Sequence, residues 1–205
     1  MDIIKEALNL GIEISENSNK MLEKYNLKMV RVKNINKFLK EYGDAFFALA
    51  EKTYAQLYQT VPITEAIKKE LIASFKLVIN RDFVIVVVDK DNNVVCMGLA
   101  IPSLSKAVQK SGGRLTLPTI FKILKAVKKP EVVDLSLIGV APEYAMKGIS
   151  SALIARVQKT MRETDIKYCE TNLNLETNVK IQNQWKNFDS RLHKRRRSFV
   201  KKLDK

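Results

Sequence analysis

The run Val132–Val140 is β-branched and apolar apart from Asp134 and Ser136, and it gives way at once to Ala141, Pro142, Glu143, Tyr144, Ala145, Met146, Lys147, Gly148, Ile149, Ser150 and Ser151. Ile149, Ala152, Leu153, Val157 and Met161 then recur at helical spacing, so the segment reads as strand, turn and helix. A helix start presents about four unpaired backbone N–H groups and the positive end of the macrodipole, and phosphate suits that geometry. Gly148 lets a pyrophosphate approach the backbone, Ser150 and Ser151 bring small hydroxyls into the first turn, and Lys147 adds a mobile positive charge. The same pattern serves as a plain turn in many α/β proteins, and these residues alone do not separate the two uses.

The positions Val140, Pro142, Glu143, Tyr144, Lys147, Gly148, Ile149, Ser151, Ala152 and Leu153 resemble the signature segment of the GNAT N-acetyltransferases. In that family a Gln or Arg, a Gly and a small residue grip the pyrophosphate of coenzyme A. The resemblance covers about residues 27–203 and implies a GNAT-like α/β fold with a mixed, largely antiparallel sheet flanked by helices. It implies acetyl-CoA or another acyl-CoA as co-substrate, no metal, and a small-molecule or peptide amine as acceptor. More narrowly, residues 134–148, the strand end at Lys167, Glu170, Thr171 and Asn172, the later Asn178 and the basic run 194–197 resemble an uncharacterised bacterial group of GNAT-like proteins. Members of that group look longer at the N-terminus, so residues 1–26 stand where a neighbouring domain would join.

On the same resemblance, the backbone of Leu137, Ile138, Gly139 and Val140 pairs with the pantetheine arm, in a V-shaped gap where the strand at 132–140 parts from the strand at 166–171. Ala145, Met146, Lys147, Gly148, Ile149, Ser150 and Ser151 hold the pyrophosphate, and Gly148→Val is expected to abolish binding with the fold intact. Two positions depart from the family: Ala145 stands where the Gln or Arg is expected, and Trp185, a packing residue by its chemistry, stands where a Tyr often protonates the leaving thiolate. Direct attack by the amine requires alignment, a base and a polarised carbonyl, and no covalent residue. Asp134 and Glu170 are the candidate bases, ahead of Glu143 in the phosphate loop; each also reads as an ordinary solvent-facing or paired strand acid. Ser136 could orient a water. Asn172 fits either a hydrogen bond to cofactor or acceptor, or a turn or cap before Thr177. Cys169 fits an inward strand position, and His193, the sole histidine, sits among Arg191, Lys194 and Arg195, which disfavour its protonation and offer no metal company.

The elements that would position these groups alternate between period 3.6 and period 2. Residues 1–26 carry a helical stripe through Ile3, Ile4, Ala7, Leu8, Gly11 and Ile12, with a break expected at residues 17–19, and form a segment apart from an acyltransferase domain at 27–205. A strand at 27–32 precedes helices at 36–58 and 64–78, split by Pro62. Residues 83–89 and 94–100 form a hairpin around the polar turn at 89–93. The long connection 102–130, with Gly112, Gly113 and a helix started by Pro118, could roof the site. Together with the helices around 45–78 it is expected to form the acceptor pocket, its lysines favouring an amine that also carries a carboxylate or phosphate. A helix at 148–163, a strand at 166–171, a helix at 177–188 and a final basic strand at 194–203 complete the chain.

The 205 residues are 46% apolar and 28% charged, a globular balance. Two cysteines and no leader-like start point to a reducing, cytoplasmic setting, and no apolar run approaches the ~20 residues of a membrane span, so no membrane partner is expected. The net charge of +14 asks for an anionic partner or a solvating surface. Nucleic acid is the rival reading for the basic run 194–197, but Phe199 alone offers stacking there. A GNAT-shaped module that binds cofactor without turnover is another rival, and a monomer or homodimer fits either.

Overall fold

Val84–Val88 is five branched residues in a row, all buried, which a strand tolerates only when both of its faces are covered. In the computed structural model, which describes residues 2–4, 10–55, 57, 60–199 and 201, this strand lies inside a seven-stranded sheet. The chain runs β1 (Asp2–Ile4), α1 (Leu10–Lys24), β2 (Lys28–Val30), α2 (Ile35–Tyr54), α3 (Glu65–Phe75), β3 (Val84–Val88), β4 (Val94–Pro102), α4 (Ser105–Gln109), α5 (Leu117–Lys128), β5 (Val132–Val140), α6 (Ser150–Arg162), β6 (Tyr168–Thr171), α7 (Val179–Trp185) and β7 (Ser190–Arg191). The sheet order is β2-β3-β4-β5-β6-β1-β7, antiparallel at every junction except β5 with β6.

The alternation along β3 divides two cores. Val84, Val86 and Val88 pack with Met97 under Phe38, Tyr42, Phe46 and Leu49 of α2. Ile85 and Val87 pack with Cys96 against Leu22 of α1, Ile149 just before α6, and Ala152 and Leu153 of α6. A third cluster, Phe83, Ala100, Val133, Met161, Ile166, Cys169 and Trp185, closes the end of the sheet where β5 meets β6.

Caps and turns follow residue chemistry. Asn34, Thr64, Thr116 and Asn178 each accept a hydrogen bond from a backbone N–H three residues on, starting α2, α3, α5 and α7. In the β3–β4 turn the Asp89 carboxylate accepts from the backbone of Asp91 and Asn93, and Asn92 takes φ +67°.

Three expectations are corrected. α1 runs unbroken through residues 17–19, and Asp2–Ile4 forms a strand pairing with both β6 and β7. Adjacent Ile3 and Ile4 suit a strand as well as a helix stripe, and the outer edge of β6 leaves backbone groups for a strand to pair. Among the described residues the last strand is Ser190–Arg191, and 194–199 form none; four adjacent cationic residues supply no apolar face to alternate inward. Ala7 and Leu8 of the first stripe, and Val200, Lys202 and Leu203 of the basic strand, lie outside the described residues.

Trp185 is 5% exposed and packs with Phe83, Val133 and Met161, as its chemistry suggests. Trp185→Ala is expected to lower stability by about 3–5 kcal/mol, the cost of an aromatic-sized cavity, and Trp185→Phe by much less. Denaturant unfolding of the two variants checks the ranking.

Candidate active site

β5 and β6 begin as neighbours and then part. Their parallel ladder pairs Val132 with Tyr168, Val133 with Cys169, Asp134 with Glu170 and Leu135 with Thr171, and stops there. β5 continues to Val140 on β4 alone. Asn172 stands at the fork: its N–H donates to the Leu135 carbonyl and its side-chain amide to the Ser136 carbonyl, both at 3.4 Å. Asn178, not Asn172, caps the next helix.

A bulge at the fork sets which side chains line the opening. Leu99 faces Leu137 and Ala100 faces Leu135, so Ser136 has no partner across the ladder. Leu135 therefore joins the Trp185 cluster while Leu137 packs on the α2 side of the sheet. Ser136 Oγ turns back to donate to the Asp134 carbonyl at 3.3 Å.

Gly139 brings the last turn of α2 close. A Cβ there would lie 3.1 Å from Thr53 Oγ1 of α2 and 2.8 Å from the mobile Cε of Met97 on β4, so glycine leaves room for this approach. The next residue of α2, Tyr54, reaches into the opening. Its hydroxyl accepts from the Ile138 N–H at 3.0 Å and donates to the Ile138 carbonyl at 2.8 Å. Burial raises the Tyr54 pKa against the lowering effect of the hydrogen bond from the Ile138 backbone, so the phenol stays protonated at neutral pH. Tyr54 was not legible as a site residue, because its partner lies 84 positions away; the only hint is that a part-buried Tyr hydroxyl needs a partner.

The Ala145–Ser151 stretch joins the end of β5 to α6, beyond the fork. Met146 and Gly148 take φ +62° and +73°, and the Ser151 hydroxyl donates to the Gly148 carbonyl in the first turn of α6. Ala145 and Met146 are exposed, Lys147, Gly148, Ser150 and Ser151 half-buried, and Ile149 is in the core. Lys147 Nζ lies 5.1 Å from the Tyr25 ring centre and 5.0 Å from that of Tyr144, which hold its charge beside the loop. Gly148→Val would place a Cβ at a positive φ, 2.5 Å from the mobile end of the Met21 side chain of α1, so that variant carries backbone strain as well as a lost phosphate approach.

The carboxylates form a separate cluster on the paired side of the fork. The register sets Asp134 beside Glu170, and Glu170 Oε1 lies 3.1 Å from His193 Nε2 and 3.5 Å from Lys194 Nζ. His193 thus faces a carboxylate, which its cationic sequence neighbours conceal. Burial pushes the Asp134 pKa up, Ser103 donation lowers it, Glu170 raises it and Lys194 lowers it, with a net rise. Glu143 is not in this cluster; it pairs with Lys52 at 3.3 Å, and its own backbone amide, then Lys52, hold its pKa down. Cys96 and Cys169 are free and buried, and burial pushes both thiols up to about 12, far from a nucleophile's range. Among the described residues no three His, Cys, Asp or Glu gather to hold a metal.

No protein-family model matches the chain, and no curated protein matches its sequence. Solved structures do match. An aminoglycoside acetyltransferase from an uncultured soil metagenomic sample, crystallised with trehalose, is 14% identical with a TM-score of 0.50, over 89% of this chain and 99% of its own. The aminoglycoside 6'-N-acetyltransferase of Acinetobacter baumannii is 13% identical at TM-score 0.50, over 87% of this chain and 99% of its own. The protein PH1933 of Pyrococcus horikoshii OT3 is 15% identical at TM-score 0.56, over 82% and 92%. At these identities the likeness is one of fold.

Two expectations follow from the geometry. The raised folded pKa of Asp134 gives stability that is full below its unfolded value of about 3.9 and is lost as pH rises through the folded value. Asp134→Asn, which fixes a neutral side chain, should therefore melt above the parent at neutral pH, and the gap should close in acid; melting curves across pH check this. Tyr54→Phe leaves the Ile138 amide and carbonyl to water and should cost about 1 kcal/mol in denaturant unfolding.

Proposed function

We propose that the chain, which has the fold of the GNAT acetyltransferases, is an acyl-CoA-dependent N-acyltransferase that moves an acetyl group from acetyl-CoA to an amine by direct attack. The observation that carries this reading is the parting of β5 from β6 after Leu135 and Thr171, which leaves the β6-side edge of β5 beyond the fork without a strand partner, with the turn at Gly148 and the start of α6 following the end of that strand. The residues there fit the co-substrate. Along the edge from Leu137 to Val140 the groups of Leu137 and Gly139 face β4, so Ile138, once Tyr54 is displaced, and Val140 offer a strand's hydrogen bonds to the pantetheine amides; Gly148, Ser150 and Ser151 at the start of α6 suit a pyrophosphate, with Lys147 alongside. Ala145 supplies no side-chain contact where the family has Gln or Arg, so the loop relies on its backbone.

In this reading the amine nitrogen attacks the thioester carbon, the C–S bond breaks, and coenzyme A leaves with a proton as free thiol. Asp134 is the better base of the two candidates: its carboxyl is raised and its neighbour Glu170 is engaged by His193 and Lys194. A backbone N–H on the open edge of β5 polarises the carbonyl, and Ile138 can do so only once the Tyr54 hydroxyl is displaced. Asn172, at the fork, is within reach of the acyl end. The matched structures named for aminoglycosides do not transfer that substrate, since this chain carries +14 and a lysine-rich connection between β4 and β5. We infer an acceptor with a carboxylate or phosphate near its amine, met by that connection, and cytoplasmic action.

A second reading, a module that binds the cofactor without turnover, is favoured by one observation: Trp185 is buried and has no acid to give to the thiolate.

Calorimetry with acetyl-CoA, followed by a free-thiol assay over a panel of anionic, neutral and cationic amines, separates these readings. The enzyme reading expects micromolar binding (~8 kcal/mol) and thiol release with anionic amines. Asp134→Asn should then cut turnover by about 100-fold or more with acetyl-CoA affinity unchanged, and remove the acid limb of the rate profile, which lies above the ordinary aspartate range. Binding without thiol release for any amine favours the second reading, and no binding refutes both.

A further inference from the structure

Helix α5 carries an exposed apolar stripe that an anionic acceptor, met by the lysines of this connection, would leave unused. Its inward stripe is Thr119, Ile123, Ala126 and Val127, the first buried and the others half-buried. On the outer side Leu117, Phe121 and Leu124 recur four and three residues apart and are 74%, 71% and 55% exposed, with Leu115 at 72% just before the helix. Lys122, Lys125 and Lys129 recur at three and four, forming an adjoining exposed stripe. No Asp or Glu occurs between Asp91 and Glu131, while Lys110, Arg114 and Lys128 add to the same charge. Large apolar side chains gathered on one exposed stripe mark an interaction surface rather than a scattered surface residue.

We propose that α5 is an interfacial anchor that lays Leu117, Phe121 and Leu124 into the surface of an anionic lipid bilayer, with its lysines at the headgroups. Charge complementarity selects this occupant. A second copy of the chain would bring two lysine stripes together on a protein already at +14, which repulsion opposes. A phenyl ring and leucines beside lysines whose stems lie along the apolar boundary is the pattern of a helix lying in a membrane interface. No described helix is long and apolar enough to cross a membrane, so the contact is a surface one. The expectation of no membrane partner weighed spanning segments alone and did not weigh this stripe.

Flotation of the full chain with phosphatidylcholine vesicles and with vesicles of mixed phosphatidylcholine and phosphatidylserine tests the proposal. The chain should float with the anionic vesicles, not with the neutral ones, and less as salt rises. The double variant Phe121→Ser, Leu124→Ser should lose about ten-fold or more of that partitioning with an unchanged melting temperature. Lys122→Glu, Lys125→Glu should weaken it as well, whereas Lys194→Glu, Arg195→Glu in the basic tail should leave most of it. The proposal is overturned if the parent does not float with anionic vesicles, or if Phe121→Ser, Leu124→Ser floats as well as the parent. It is also overturned if the tail variant abolishes flotation, if soluble polyglutamate binds more tightly than the vesicles, or if the parent sediments as a dimer that this apolar variant dissociates. None of these outcomes depends on acetyl-CoA binding, so the anchor and the acyltransferase reading stand or fall separately.

Discussion

The ladder between β5 and β6 ends at Leu135 and Thr171, and the backbone of β5 beyond it has to be satisfied by something other than a strand. Unpaired amides and carbonyls away from water are costly, so an open edge inside a sheet is held open by its surroundings. Here the bulge at Ser136 turns β5 away, Asn172 stitches the fork, and the Tyr54 hydroxyl takes both groups of Ile138. Gly139 makes this possible by letting α2 come down onto the strand. The same edge that Tyr54 occupies is the one that a pantetheine arm would use, so the account requires an exchange of one set of hydrogen bonds for another. Such exchanges have a small net cost, because each partner lost is replaced.

Charge is arranged around this opening rather than spread evenly. Lys147 is steadied between two aromatic rings near the helix start, and Lys194 faces Glu170 on the paired side of the fork. The remaining surplus lies on the connection between β4 and β5, which contains α5, and on the tail. These sites differ in kind: a lysine packed between rings has a fixed position and suits a single phosphate, whereas a lysine stripe along an exposed helix suits an extended anionic surface.

Much of this was legible in the sequence wherever the signal is local. Val84–Val88 declares itself as a strand because its β-branched run is unbroken, Val132–Val140 because its apolar residues are interrupted only by Asp134 and Ser136, and Gly148 followed by an amphipathic stripe declares the turn into α6. What was hidden depends on distant partners. Tyr54 looks like one more helix residue until α2 is set over Ile138, and His193 looks isolated among cations until β6 brings Glu170 to it. The adjacent pair Ile3 and Ile4 fits either period, so only the edge of β6 decides that it is a strand. The basic run at 194–197 reads as a strand by position alone, yet it has no face to bury.

The central claim, that an acyl-CoA arm takes the strand position beside β5 in place of Tyr54, is tested most directly by amide hydrogen exchange with and without acetyl-CoA. The account predicts that acetyl-CoA slows exchange at Ile138 to Val140 and in the loop from Met146 to Ser151, with β3 unchanged. Exchange in those two segments that stays the same at saturating acetyl-CoA, or protection confined to other parts of the chain, would contradict it.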